Sequence, residues 1–138
     1  MNRLYSRNRK KFLDGTFDWP VRSFIMSACR GAYTFDEDHQ IDSEIIAAGG
    51  VIVTDGLPLT GMTAMAGGYA MSNLTLIPAV PAGAPITFLI LFDVTDLATT
   101  GKVPLVYIDE AMGLPFTPNG LDQNIQPDWL SHRGWFRA

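Results

Sequence analysis

The sequence predicts a mainly β protein, an antiparallel β-sandwich or partly closed barrel with a short N-terminal helix. Three observations lead there. The apolar stretches are short and rich in β-branched and aromatic residues. Nine prolines and thirteen glycines punctuate the whole chain instead of gathering in a linker. Candidate strands seldom leave the roughly 10–12 residues that a crossover helix needs, which disfavours βαβ units. At 138 residues and 47% hydrophobic content, residues 1–138 fit a single β-rich domain, because a chain this long buries roughly two-thirds of the surface it exposes unfolded.

Near the start, Leu4, Tyr5, Asn8, Lys11 and Phe12 lie close to helical spacing ahead of Gly15 and predict a helix of about two to three turns. From Val21 to Tyr33 β-favouring residues take over, and Thr54-Asp55-Gly56 after "VIV" reads as a turn. "ITFLILF", residues 86–92, is apolar at nearly every position, so both of its faces should be buried, as in a central strand. "VPLVYID", residues 103–109, is its expected neighbour, with Pro104 restricting pairing to the residues after it or to an edge. "NLTLIPAV" and "QNIQPDWL" read as short strands limited by Pro78 and Pro127. Trp129, Trp135 and Phe136 are too apolar for a free tail. The C-terminal "GWFRA" is therefore expected as an edge strand beside "PLVYID".

Charge divides the chain. Residues 1–13 form a basic arm with Arg3, Arg7, Arg9, Lys10 and Lys11 and no acid, a charge of +5; the remainder carries five basic and fourteen acidic groups, a balance of −9. Such an arm can meet phosphate, an acidic protein face or a neighbouring copy, and these five residues are the expected partner-binding set. Nucleic acid is disfavoured as a partner, since five charges with only Tyr5 and Phe12 nearby leave a small footprint and match no motif. No signal-peptide core comes after the arm, and no run approaches the roughly 18 apolar residues of a membrane span. The expectation is a soluble protein, intracellular at synthesis, with no membrane partner.

The candidate chemistry is sparse. "DEDHQID", residues 36–42, is the best metal candidate, with Asp36, Glu37, Asp38, His39 and Asp42. An EF-hand would need Gly where Ile41 stands and a bidentate Glu where Ala47 stands. Zinc could draw only on His39, His132 and Cys29. The segment reads instead as an acidic turn, with Asp36 or Asp38 capping a helical turn toward Glu44. Cys29 allows no internal disulfide and reads as a buried small hydrophobe, without the flanking context of a Cys-His nucleophile. The glycines form no phosphate-binding loop. In "IDEAMGLPFTPNG", residues 108–120, Asp109 and Glu110 are adjacent, so on a strand they face opposite ways and make a poor acid pair. Asn119-Gly120 marks a tight turn. The residues thus predict no enzyme, no cofactor and no metal. Three Trp, eight Phe and six Met against two His and one Cys suit packing and interfaces more than proton transfer.

Several blocks in order, "FLDGTFDW", "YTFDEDH", "LTGMTAMAGGYAMSNLTL", "VPAG", "YIDEAMGLPFTPNG" and a terminal "DW" then "GWFR", resemble a family of small virion structural proteins of tailed bacteriophages. That pattern has an "FLDG" element, a "YTF…DH" turn, an "LTG(K)T" hairpin and a "YID…TGLP.TPNG…W…GIFRL" strand pair. The likeness covers most of the chain. Met62 stands where the pattern has Lys, and Leu130 to His132 depart from the residues it usually carries before the last strand. The resemblance implies a non-enzymatic virion component of β structure, a capsid decoration or cement protein, or else a neck or tail protein. Its partners would be capsid or neck/tail proteins and further copies of itself, and it would assemble in the host cytoplasm. A small-ligand or glycan-binding module is the alternative of another class.

Overall fold

A computed structural model describes residues 2–15, 19–65, 69–95, 101–109, 114–125 and 135–137. It is mainly β, with antiparallel sheets and few helices, consistent with a β-sandwich. The elements are β1 (Arg3–Leu4), α1 (Ser6–Leu13), β2 (Phe24–Gly31), α2 (Asp42–Ala47), β3 (Gly50–Pro58), β4 (Thr63–Met65), β5 (Tyr69–Met71), β6 (Thr75–Ile77), β7 (Phe88–Asp93), β8 (Val103–Ile108), β9 (Gln123–Ile125) and β10 (Phe136–Arg137). One 3-10 turn covers Trp19–Val21. The main sheet has the order β1-β8-β7-β2-β3, and smaller sheets have the orders β10-β5-β4 and β6-β9. No closed barrel is found among the described residues: the main sheet ends at β1 and β3, which do not pair with each other. No described helix is long and apolar enough to cross a membrane.

β7 is the centre of the molecule, and all six of its residues are buried. Side chains alternate across a strand, so Leu89 and Leu91 enter one core while Phe88, Ile90 and Phe92 enter another. The first core lies toward the smaller sheets and gathers Met26, Ala28, Ile77, Leu105, Ile125, Trp19 and Trp135. The second holds Tyr5, Cys29, Tyr33 and Ile45, with Phe35, Ile52 and Tyr107 packed against it. Pro104 sits inside β8 at a register shift opposite Phe92, beyond the two residues that β1 pairs. There its missing N–H interrupts no regular ladder.

Two local expectations are corrected. Thr54-Asp55-Gly56 is no turn: β3 runs through it, and the register against β2 slips nearby. A Cβ on Gly56 would stand 2.7 Å from the Met26 carbonyl oxygen and 3.2 Å from that of Leu76, so glycine there permits close approach of two backbones. The C-terminal strand pairs with β5, Phe136 opposite Ala70, and not with "PLVYID". β1 already holds the outer side of β8, with Arg3 opposite Tyr107 and Leu4 opposite Val106. Trp135 steers the end of the chain to β5: its backbone N–H donates to the Ala70 carbonyl at 2.8 Å and its indole N–H to Ser72 Oγ at 2.7 Å. The short strands within "NLTLIPAV" and "QNIQPDWL" pair with each other, as β6 and β9.

Candidate functional site

Of the expected partner-binding residues, Arg9 reaches the chain's own acidic turn and Arg3 lies over aromatic rings. Tyr5 N–H donates to the Leu105 carbonyl at 3.1 Å and Ser6 N–H to the Glu37 carbonyl at 2.8 Å, which fixes the path of the N-terminal segment. Arg3 places its guanidinium 4.6 Å from the Phe35 ring centre and 5.2 Å from that of Tyr107, a cation over two aromatic faces. Arg9 pairs with Glu37 at 2.8 Å, each side chain about half exposed. An ion pair so open to water contributes about 0–1 kcal/mol. Ser6 Oγ donates to Asp38 Oδ1 at 3.2 Å. Lys11 is half-buried on α1, while the side chains of Arg7 and Lys10 lie outside the described set.

Beneath this surface a polar chain crosses the second core. The Tyr5 and Tyr33 hydroxyls are 3.1 Å apart, and the Tyr33 hydroxyl is 2.9 Å from His39 Nδ1. His39 Nε2 approaches Asp36 Oδ2 at 3.8 Å. Tyr5 is fully buried; burial first, and then the Tyr33 hydrogen bond, push its phenol far above the ordinary value of 10.0. Burial, and after it the Asp109 charge, also raises Tyr107. Neither phenol is thereby prepared to lose a proton.

A second polar knot lies on the same sheet face. Lys102 Nζ contacts both oxygens of Asp55, at 2.9 and 3.0 Å, while its charge stands 4.9 Å from the Phe92 ring centre. Ser27 Oγ, wholly buried, donates to Asp55 Oδ1 at 2.6 Å. Burial opposes the Asp55 charge, but hydrogen bonds from Lys102 and Ser27 and the lysine charge outweigh it, so this carboxyl titrates below its ordinary 3.8. Lys102 also offers its carbonyl to the Asp42 N–H at 3.0 Å, tying α2 to the segment that opens β8.

The described residues considered for chemistry have structural partners. Cys29 is buried, its thiol donates toward the Ser27 carbonyl at 3.5 Å, and burial raises its pKa, the reverse of what activates a nucleophile. Among the described residues no group of three His, Cys, Asp or Glu could hold a metal. Asp36 and Asp38 cap no helix: Asp36 Oδ1 accepts the Asp38 N–H at 3.0 Å, and α2 begins after Ile41 with no side-chain cap. Glu44 instead reaches back to the Gln40 N–H at 3.0 Å. His132 and Glu110 lie outside the described residues. Asp109 takes part through its backbone N–H, which donates to Asn2 Oδ1 at 3.1 Å, while Asn2 Nδ2 donates to the Trp135 carbonyl at 2.8 Å. One side chain thus joins both ends of the chain to the end of β8. Asn119-Gly120 is a turn: Asn119 Oδ1 accepts the Leu121 N–H at 3.1 Å and Gly120 has φ +86°. Val80 fixes that turn through bonds to Leu121 and Gly120.

Sequence reasoning missed the bridging role of Asn2, the packing of Tyr5, Tyr33, Phe35 and Tyr107 about one core, and the Ser27–Asp55–Lys102 group. The alternating aromatics of "YTF" were the available signal for Tyr33 and Phe35. No family model matches the chain, and neither does any curated protein or solved structure.

Proposed function

We propose that the protein is a non-enzymatic structural component of a tailed-phage virion, a β-sandwich that decorates or cements the capsid, with a neck or tail position as the second placement. The observation that carries the reading is the ordered likeness of its motif blocks to that family of small virion proteins. The fold supports it through what those blocks do. "YTF…DH" covers the second core, "TPNG" is the turn fixed to Val80, and "GWFR" places Trp135 in the first core. All three are joints of the fold, and none assembles a nucleophile, a base and an orienting group among the described residues.

In this reading the basic segment, with Arg3, Arg7, Arg9, Lys10 and Lys11, faces an acidic neighbour, and packing on other copies or on capsid subunits covers apolar groups now open to water. Leu13, Val21 and Leu121 are 89%, 74% and 64% exposed. The test is mass spectrometry of particles purified through a density gradient and a high-salt wash. A stoichiometric band that comigrates with the major capsid protein is expected. Complete absence from infectious particles, with the chain found only in the lysate, would overturn the reading.

A further inference from the structure

Asparagine is a chemically labile side chain, and its neighbours single out one turn. Asn2 and Asn8 precede arginine, Asn73 precedes leucine and Asn124 isoleucine, whereas Asn119 precedes Gly120. A backbone nitrogen can attack the side-chain amide of the residue before it, and glycine, with no Cβ, shields that nitrogen least. Asn119 and Gly120 are both exposed, and nothing stands within 4 Å of where a Gly120 Cβ would lie, so water reaches the pair.

The fold prepares one half of this reaction and holds back the other. The Leu121 N–H donates to Asn119 Oδ1 at 3.1 Å and draws electron density from the carbon to be attacked. The Gly120 N–H, on the attacking nitrogen, donates to the Val80 carbonyl at 2.8 Å, and the Val80 N–H donates in turn to the Leu121 carbonyl at 3.2 Å. Val80 is fully buried in the first core. Ala79 beside it, at φ +46°, is fixed by Asp122 Oδ1, which accepts its N–H at 2.8 Å. Ring closure requires the Gly120 nitrogen to swing toward Asn119 Cγ and give up its hydrogen. Its bond to Val80 has to open first.

We propose that Asn119 is a self-modification site, a deamidation site gated by the clasp between Val80 and Gly120. In the open turn the Gly120 nitrogen bonds to Asn119 Cγ, the Cγ–Nδ2 bond breaks, and the side-chain nitrogen leaves as ammonia with the hydrogen from Gly120. Water then opens the cyclic imide. Attack at Cγ restores the main chain and leaves an aspartate. Attack at the Asn119 backbone carbonyl leaves isoaspartate, with an extra carbon in the main chain. Either product adds a negative charge near Asp122, and isoaspartate lengthens the turn so that Gly120 and Leu121 no longer meet Val80 together. The modified turn records that the clasp has opened. This chemistry is independent of the virion reading.

The test ages the full chain in mildly alkaline buffer, folded and in guanidinium chloride, and locates amide loss by peptide mass spectrometry. In denaturant Asn119 should convert ahead of the other asparagines. In the folded chain it should convert about tenfold or more slowly, because the rate follows the small population of open turn. Asp122→Ala removes the acceptor on Ala79 and should speed folded-state conversion by about threefold or more, the effect of one lost hydrogen bond, while leaving the rate in denaturant unchanged. A second reading needs no substitution: over a series of low denaturant concentrations, hydrogen exchange of the Gly120 amide and conversion of Asn119 should accelerate in parallel. Equal rates in the folded and unfolded chains, a folded-state rate that ignores Asp122→Ala, or conversion that does not follow exchange at Gly120 would overturn the proposal.

Discussion

The two faces of β7 present similar apolar side chains and meet different covers. Leu89 and Leu91 face a core that draws on Ile77, Ile125, Trp19 and Trp135 from the smaller sheets and their flanks. Phe88, Ile90 and Phe92 face the loop that carries Tyr33 and Phe35, the helix that carries Ile45, and the N-terminal segment. The first cover is held by burial of large apolar groups. The second sets Ile45 and two buried phenols, Tyr5 and Tyr33, beside a few hydrogen bonds and charges open to water. β1 and the residue after it span both, since Leu4 enters the first core and Tyr5 the second. Equal strand patterning therefore need not give equal local stability.

That contrast orders the expected effects. Trp135→Ala should cost most, about 3–5 kcal/mol, because it leaves a large cavity in the first core and frees the end of the chain. Chemical denaturation should show the loss as a lower midpoint with an unchanged slope. Tyr5→Ala should cost about 3 kcal/mol, but as a local loss: limited proteolysis should cut within residues 6–15 while β7 amides stay protected. A uniform loss of protection across both faces would contradict the separation.

Smaller changes sharpen it. Tyr5→Phe keeps the ring and loses one hydrogen bond, worth about 1 kcal/mol at neutral pH. Because the folded pKa of Tyr5 is raised, its stabilising contribution is present below 10.0 and is lost as pH climbs beyond it. Tyr5→Phe should accordingly unfold at higher pH than the natural chain in an alkaline titration monitored by circular dichroism. Asp55 has the opposite sign: with its pKa lowered, it stabilises above 3.8 and loses that contribution as pH falls further. The stability gap between the natural chain and Asp55→Asn, read from urea melts, should narrow with acid below that value. Arg9→Ala should be smallest, under about 1 kcal/mol, and should vanish in high salt.

How far the sequence reveals this arrangement depends on the range of each interaction. β7 is legible because six successive buried positions need no knowledge of a partner. The placement of β10 is not legible, because it depends on β1 holding the edge of β8, and β1 is only two residues long, too short to show a period. Thr54-Asp55-Gly56 misleads because the glycine that permits a turn also permits close backbone approach. The basic and acidic clusters are each visible in the sequence. Nothing in their spacing joins Arg9 to Glu37, and Lys102 meets Asp55 across a separation of 47 residues.

Native-state hydrogen exchange tests the difference between the two faces most directly. The amides of Ile90 and Leu91 in β7, and the Trp135 amide bonded to Ala70, should exchange only through global unfolding and share its denaturant dependence. The Tyr5 and Ser6 amides, bonded to Leu105 and Glu37, should exchange through a smaller opening, at lower free energy and with little dependence on denaturant. Exchange of Tyr5 and Ser6 at the global free energy would show that the N-terminal cover is as firmly built into the fold as the sheets on the other face, and would contradict the account.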